Sequence, residues 1–381
     1  MKPVRRLTLV LAFALGLPAL AKQPTLFTNH YDPAADTPKL DAEKAVVFDP
    51  VGRWTYAHHP TLAFFKGCLY AAFSNGPAGE DEPGQRILLS RSENFTDWSE
   101  PEVLLEPGAG DYGQPEILTP GGLKVIGDSL VLYYTVNDND GTSNRRLDPT
   151  LHAIVTRDGL EWSDPIRLSL RVFPCHSPLT LSDGRILLTG NTLVYYTDDP
   201  SGTGRWNRCR MELPEFQDGA ITFDQVRPSL CEGALLEHPD GQVFCLLRST
   251  GKTYDGYLWQ MQSADGGRSW SSPVKSRFTD NNTKSFFGRL PDGRCFYVGT
   301  PDTTHPGERW PLVLALSDDG YDYDRTWILS DDRYAQQYRG RWKGGEYGYP
   351  YAILHDGYVY VILSRRKERI EVIRIETEAL K

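Results

Sequence analysis

The chain has 381 residues, a formal net charge of −9 and 12% aromatic residues. An acidic balance with no basic run argues against nucleic acid as a partner, because phosphate binding needs clustered Lys and Arg. Six cysteines (Cys68, Cys175, Cys209, Cys231, Cys245, Cys295) form no Cys-x-x-Cys pair and have no His-rich partner, so neither a metal nor a cofactor is expected.

Residues 1–21 read as a secretory signal peptide. A charged start through Arg5 and Arg6 precedes the apolar run Leu7 to Leu20, and Ala19-Leu20-Ala21 offers a cleavage site. Cleavage after Ala21 removes Lys2, Arg5 and Arg6, moves the formal charge to −12 and makes the protein secreted or periplasmic. No other stretch is long and apolar enough to span a bilayer. Residues 22–45 form an extended lead-in without periodicity, and 46–381 form one domain. With export, Cys175 and Cys231, both just before inner strands, are the pair best placed for a disulfide.

Six hairpin turns recur along the domain, at Lys66-Gly67, Gly127-Asp128, Asp183-Gly184, Asp240-Gly241, Asp292-Gly293 and Asp356-Gly357, each between runs rich in Val, Ile, Leu, Phe and Tyr. Their spacings of 62, 55, 57, 52 and 64 residues, counted from Lys66, Asp128, Asp183, Asp240, Asp292 and Asp356, suit one four-stranded blade each. The fold expected is all-β, a six-bladed β-propeller of four-stranded antiparallel blades. The last blade borrows a strand from residues near Val46 to Val51, which closes the ring. A closed ring buries its own core, so a monomer is expected.

On the far side of the hairpins lie Ser92 to Pro101, Thr156 to Pro165 and Ser263 to Pro273, each with a polar turn followed by Trp98, Trp162 or Trp270; weaker copies end at Trp206 and Trp327. Asp and Gly build the turn and the indole plugs the blade beneath it. These segments resemble Asp-box repeats, which recur in sialidase-type propellers.

The loops before the inner strands open on one face of such a ring, and here they are polar: His58-His59-Pro60, Gln114-Pro115-Glu116, His176-Ser177-Pro178, Arg227 to Glu232, Asp280 to Lys284, and Glu346 to Pro350. Six such loops converging on one axis define a pocket. Glu232 precedes a strand and Arg248 ends its partner across the Asp240-Gly241 turn, so a carboxylate and a guanidinium share one mouth. Gln114, Glu116, Asn281, Asn282 and Lys284 would donate or accept hydrogen bonds to sugar hydroxyls. The segment Arg339 to Glu346 would form a mobile or solvated rim.

The layout resembles the sialidase superfamily over the whole mature chain. The resemblance implies that Tyr349 is a nucleophile, with Tyr347 in reserve, that Glu232 is its base, and that Asp81 in Gly79-Glu80-Asp81-Glu82-Pro83 is the general acid, with Glu82 next. It also implies that Arg248 and Arg309 hold an anionic group and that the chain is a glycoside hydrolase. The chain departs from the family at the first blade, where His58-His59-Pro60 stands in place of Arg-Ile-Pro. An unperturbed His is mostly neutral at pH 7, which weakens a clamp on the carboxylate of sialic acid.

The histidines support two other readings. His58, His59 and His176 with Tyr349 and Arg248 suit a uronate-directed propeller lyase or a His-dependent glycosidase, and a non-catalytic glycan-binding propeller is the third. Adjacent residues on a strand point to opposite faces, so only one of His58 and His59 is expected to face the channel.

Overall fold

The structure is a computed structural model that describes residues 24–50, 52–142, 146–190, 192–211, 216–217, 220–221 and 229–381. The expected signal peptide lies outside these residues. Among them, no helix is long and apolar enough to cross a membrane.

Among the described residues the chain folds as an all-β propeller with five four-stranded antiparallel blades, which corrects the expectation of six. Four blades are continuous in sequence: Tyr56–Phe65 through Glu102–Leu105, Ile117–Ile126 through Ile166–Arg167, Leu179–Thr180 through Asn207–Arg208, and Phe286–Arg289 through Arg325–Ser330. The fifth joins Tyr347–His355, Tyr358–Arg365 and Arg369–Glu376 to Glu43–Phe48, so the N-terminal strand closes the ring as expected.

The sheet that departs from the pattern is six-stranded and mixed. Its strands Ser229–Glu237, Val243–Thr250, Tyr257–Ser263 and Val274–Thr279 are extended by Thr28–Asn29, which pairs in parallel with Arg277 and again with Asp322–Tyr323. Phe27 explains the extra strand. It is fully buried among Phe244, Phe287 and Tyr323 and drags its neighbours onto an edge that would otherwise be unpaired. Gln260 fixes the register, accepting from the Phe27 N–H at 2.9 Å and donating to the Thr25 carbonyl at 2.8 Å.

The middle strands, such as Cys68–Gly76 and Tyr358–Arg365, are apolar almost throughout because both faces are covered by neighbouring sheets. Each apolar cluster spans two adjacent sheets, as where Leu123, Leu132 and Ile154 meet Ala72, Ile87 and Leu89. The hairpins use two turn chemistries. Lys66-Gly67 and Asp356-Gly357 have both residues at positive φ, the primed geometry that matches strand twist. At Asp183, Asp240 and Asp292 the carboxylate instead accepts the backbone N–H two residues on, each at 3.0 Å.

The outer turns repeat as well. Thr156, Ser263 and Ser317 accept the N–H of Gly159, Gly267 and Gly320 at 2.8–2.9 Å, and the indoles of Trp98 and Trp270 donate to the Phe95 and Gly267 carbonyls at 2.8 and 3.0 Å. None of the six cysteines forms a disulfide, so the Cys175 to Cys231 bridge expected from sequence is not made.

Candidate active site

Three inner strands break their ladders at equivalent points. Register shifts between His58 and Thr61, between Cys231 and Gly233, and between Gly348 and Tyr351. The extra residues adopt left-handed backbone, His59 at φ 52°, Glu232 at 43° and Tyr349 at 54°. For bulky residues this costs ~1–3 kcal/mol each, and a bulge uses it to turn a side chain out of the normal alternation. Pro60 and Pro350 follow two of these bulges, where a missing N–H removes little because the ladder is already interrupted. Asp81 and Arg309 have the same backbone class, at φ 59° and 55°.

These bulges bring Tyr349, Glu232 and Arg248 together. The buried Tyr349 hydroxyl donates to Glu232 Oε1, and Arg248 Nη1 pairs with Glu232 Oε2 at 2.8 Å. Arg248 is braced in turn by Cys231 Sγ, which accepts from its Nε at 3.1 Å. Among the described residues, three cations stand around the phenol ring: Lys284 Nζ is 4.6 Å from its centroid, the Arg309 guanidinium 5.7 Å and that of Arg248 6.0 Å. Burial, with Glu232 beside it, pushes the Tyr349 phenol well above its ordinary pKa. The resting nucleophile candidate is therefore neutral.

Arg309 is positioned from two sides. Asn281 Oδ1 accepts the Gly307 and Arg309 N–H groups at 2.6 and 3.4 Å. Gly345, at φ 70°, lets the 339–346 segment pass over it, since a Cβ there would lie 2.5 Å from Arg309 Cδ. That segment is pinned: Lys343 donates to the Thr55 carbonyl at 2.8 Å and pairs with Glu368 at 3.1 Å. Arg309 Nη1 is buried without a hydrogen-bond partner among the described residues. Burial, reinforced by Arg248, lowers its pKa.

Asp81 is buried on the 79–83 loop, and Arg146 holds its Oδ2 through Nε at 2.8 Å and Nη2 at 2.7 Å. Burial raises its pKa against the opposing pull of Arg146. Glu82, the reserve for the acid, instead accepts the Ala78 N–H at 3.3 Å. Tyr347 is spent on structure, its hydroxyl contacting Ser330 Oγ at 2.6 Å and donating to the Asp332 carbonyl at 2.8 Å.

The remaining candidates divide. Lys284 reaches the Tyr349 ring and also donates to the Cys175 carbonyl. His58 and His59 both turn to the site, with ring centroids 4.5 Å apart and His58 4.2 Å from Tyr349. The expectation that only one faces inward fails because the bulge cancels the strand alternation. His176 Nε2 meets the Ser285 carbonyl at 2.9 Å and its ring packs on Phe286 and Tyr351; it lines a cavity of about 290 Å³ on that side and, with His59 and Lys284, a small pocket beside the site. Gln114 lies on the 108–116 loop with its side chain against Gly141. Glu116 closes that same loop by accepting the Gly108 N–H at 2.9 Å.

Four charged residues of the site went unread in the sequence: Glu80, Arg146, Lys367 and Asp280. Glu80 meets Lys367 Nζ at 2.5 Å and His59 Nε2 at 3.4 Å. Despite its burial, Lys367 holds it below the usual carboxylate range. Its signal was present one position before Asp81. Lys367 lies in the run Arg365 to Arg369, which reads as a solvated turn.

Asp280 is fully buried, with Oδ1 unpartnered among the described residues, and burial raises its carboxyl to about 7. In the folded state it keeps its proton up to that pH, whereas the unfolded side chain ionises near 3.8. The native chain therefore binds more protons between these values, and stability falls as pH rises through this window. Wild type is expected to lose stability relative to Asp280→Asn between pH 4 and 8, by up to ~4 kcal/mol, in paired denaturant titrations. A pH-independent difference would refute this.

Residues 67–361 match the family model of the BNR repeat-like domain. The chain belongs to the BNR repeat-like domain family. No curated protein sequence matches it. Among solved structures, this BNR repeat-like chain is similar to a sialidase, at 17% identity and a TM-score of 0.64 over 92% of this chain and 35% of that one. A protein of unknown function from Dyadobacter fermentans gives 17% and 0.64, over 88% of this chain and 98% of that one. A Trypanosoma rangeli sialidase in complex with 2,3-difluorosialic acid, a covalent intermediate, gives 13% and 0.63 over 90% and 60%. The chain thus spans about a third to three-fifths of the length of these two sialidases. At such identities the likeness establishes the fold.

Proposed function

We propose that this BNR repeat-like propeller is a glycoside hydrolase that releases a terminal acidic sugar with retention of configuration. The observation that carries the reading is the single carboxylate of Glu232 held between the Tyr349 hydroxyl and Arg248. Tyr349 attacks the anomeric carbon while Glu232 Oε1 takes its proton. Asp81, kept protonated to higher pH by burial, protonates the leaving oxygen. Ionised Asp81 then takes a proton from the water that cleaves the glycosyl–tyrosine bond, and Glu232 returns the phenol's proton. A neutral phenol suits an anionic substrate, because a carboxylate nucleophile would repel it. The route requires a covalent intermediate, the state in which the Trypanosoma rangeli sialidase was captured with 2,3-difluorosialic acid.

Arg248, Arg309 and Lys284 receive the anionic group. Two arginines and a lysine make a looser clamp than three arginines, so the sugar need not be sialic acid. Export through residues 1–21 belongs to the same proposal, since glycan substrates of this kind lie outside the cell.

Burial lowers Lys284 to about 8, against the pull of Glu232. It is cationic below that pH and neutral above, so KM for an anionic substrate is expected to rise as pH passes about 8. Initial rates from pH 6 to 10 check this, and Lys284→Met should abolish that rise. A KM that stays flat in wild type would exclude Lys284 from anion binding.

The test is product release from sialylated, uronate-containing and neutral oligosaccharides, following both reducing sugar and ultraviolet absorbance. Reducing sugar without absorbance supports the hydrolase and names its sugar. Growth of absorbance reports an unsaturated product and moves the chemistry to His58 and His59 as a lyase. Binding with no turnover identifies a glycan-binding propeller.

A further inference from the structure

His58, His59 and Glu80 are buried beside Tyr349, and their potential ligand atoms lie within 4.8 Å of one another. His59 Nε2 is 3.4 Å and His58 Nε2 3.8 Å from Glu80 Oε1. The hydroxyls on the opposite ring nitrogens decide the tautomers. Ser74 Oγ uses its one hydrogen on the His58 carbonyl at 2.8 Å, so at 3.0 Å it accepts from His59 Nδ1–H. Ser364 Oγ lies 2.7 Å from His58 Nδ1 and 3.3 Å from the Gly348 carbonyl, an arrangement that fits the same tautomer for His58. Each imidazole then turns a bare Nε2 lone pair toward a carboxylate oxygen. His58 Nε2 makes no hydrogen bond among the described residues. Lys367 occupies Glu80 Oε2 and leaves Oε1 facing the imidazoles. Three electron-pair donors therefore converge with no hydrogen between them.

We propose that His58 Nε2, His59 Nε2 and Glu80 Oε1 bind a divalent transition-metal ion of the zinc class. Ligand atoms around a tetrahedral ion with bonds of ~2.0–2.1 Å stand ~3.3 Å apart, close to the separations from Glu80 Oε1 to the two imidazoles. Two neutral imidazoles select zinc, cobalt, nickel or copper over magnesium and calcium, which prefer all-oxygen shells. Ser74 and Ser364 supply the outer contacts that orient such ligands. Lys284, Lys367 and Arg309 oppose the ion's charge, so affinity is expected below that of a structural zinc site. The sequence expectation of no metal rested on cysteine spacing and the lack of a His-rich partner, and the bulge at His59 brings two imidazoles to one carboxylate without either signal. The site is inferred independently of the glycosidase reading, because its test reads binding and not turnover.

The full chain, stripped with a chelator, is titrated calorimetrically with zinc(II), and its cobalt(II) form is measured by X-ray absorption. One ion per chain is expected, with two imidazoles in the cobalt shell. Binding should weaken at least ~10-fold in His59→Ala and Glu80→Gln and stay unchanged in His355→Ala. Absence of stoichiometric binding, or binding that survives both substitutions, overturns the proposal. If neither variant folds, the wild-type cobalt spectrum decides, and a shell without two imidazoles overturns it.

Discussion

Replacing Tyr349 with Phe is expected to lower kcat roughly 1,000-fold or more, ~4 kcal/mol of activation free energy, with the fold intact. Phe keeps the ring between His58 and the three cations and deletes only the oxygen that would bond to the sugar. Glu232 keeps its 2.8 Å pair with Arg248, so no buried carboxylate is stranded and the melting temperature should stay close to wild type. Glu232→Gln should lower kcat comparably, because an amide cannot take the phenol's proton. Since nucleophile and base act in one step, the double variant should be little slower than either single one. Steady-state kinetics on the substrate found in the product panel, with thermal melts of all three variants, provides the check. Turnover retained in Tyr349→Phe would remove the phenol from the chemistry.

Arg365→Met should give the largest loss of stability. Its guanidinium, 1% exposed, bonds Glu346 Oε1 at 2.7 Å, Glu371 Oε2 and Asp332 Oδ2 each at 2.9 Å, and the Asp332 carbonyl at 3.0 Å. Removing it leaves the buried Glu346 carboxylate with Arg366 at 3.0 Å as its remaining ion pair. Breaking a buried network from one side costs ~3–5 kcal/mol, a fall in Tm on the order of 4–6 °C for a chain of this size. Activity should suffer too, because the segment around Glu346 carries the site: the Glu346 and Tyr347 N–H groups donate to the Glu308 and Arg309 carbonyls at 2.7 and 3.2 Å. Adding Glu346→Gln to Arg365→Met should recover part of the loss by discharging the stranded group. Differential scanning calorimetry measures both, and an unchanged Tm in Arg365→Met would contradict the role given to this network.

The propeller was legible because its signals are local. Asp-Gly turns, apolar runs and a Trp after each outer turn recur at a near-constant period, and each is fixed by residues adjacent in sequence. What broke the pattern was long-range: Phe27, more than two hundred residues from Phe244 and Phe287, adds a strand to one sheet through burial that no local periodicity announces. Among the candidates, Tyr349, Arg309 and Asp81 were picked out by the resemblance to sialidases, whereas Glu232, Arg248 and Lys284 could be singled out because they stand beside strand ends and turns. Arg146 and Lys367 could not, because each looks like surface charge until paired with Asp81 or Glu80. The shared bulge was invisible for a different reason. Alternation assigns neighbours to opposite faces, so one extra residue in the ladder reverses the reading for His58 and His59.

Trapping of the covalent intermediate tests the central claim most directly. The chain is incubated with derivatives of the acidic sugar it releases that carry a leaving fluoride on the anomeric carbon and a second fluorine on the adjacent carbon, then digested and mapped by mass spectrometry. A tyrosine nucleophile predicts one glycosyl adduct on the peptide containing Tyr349, absent from Tyr349→Phe. An adduct on another residue, or turnover of the parent substrate with no adduct at all, would contradict it.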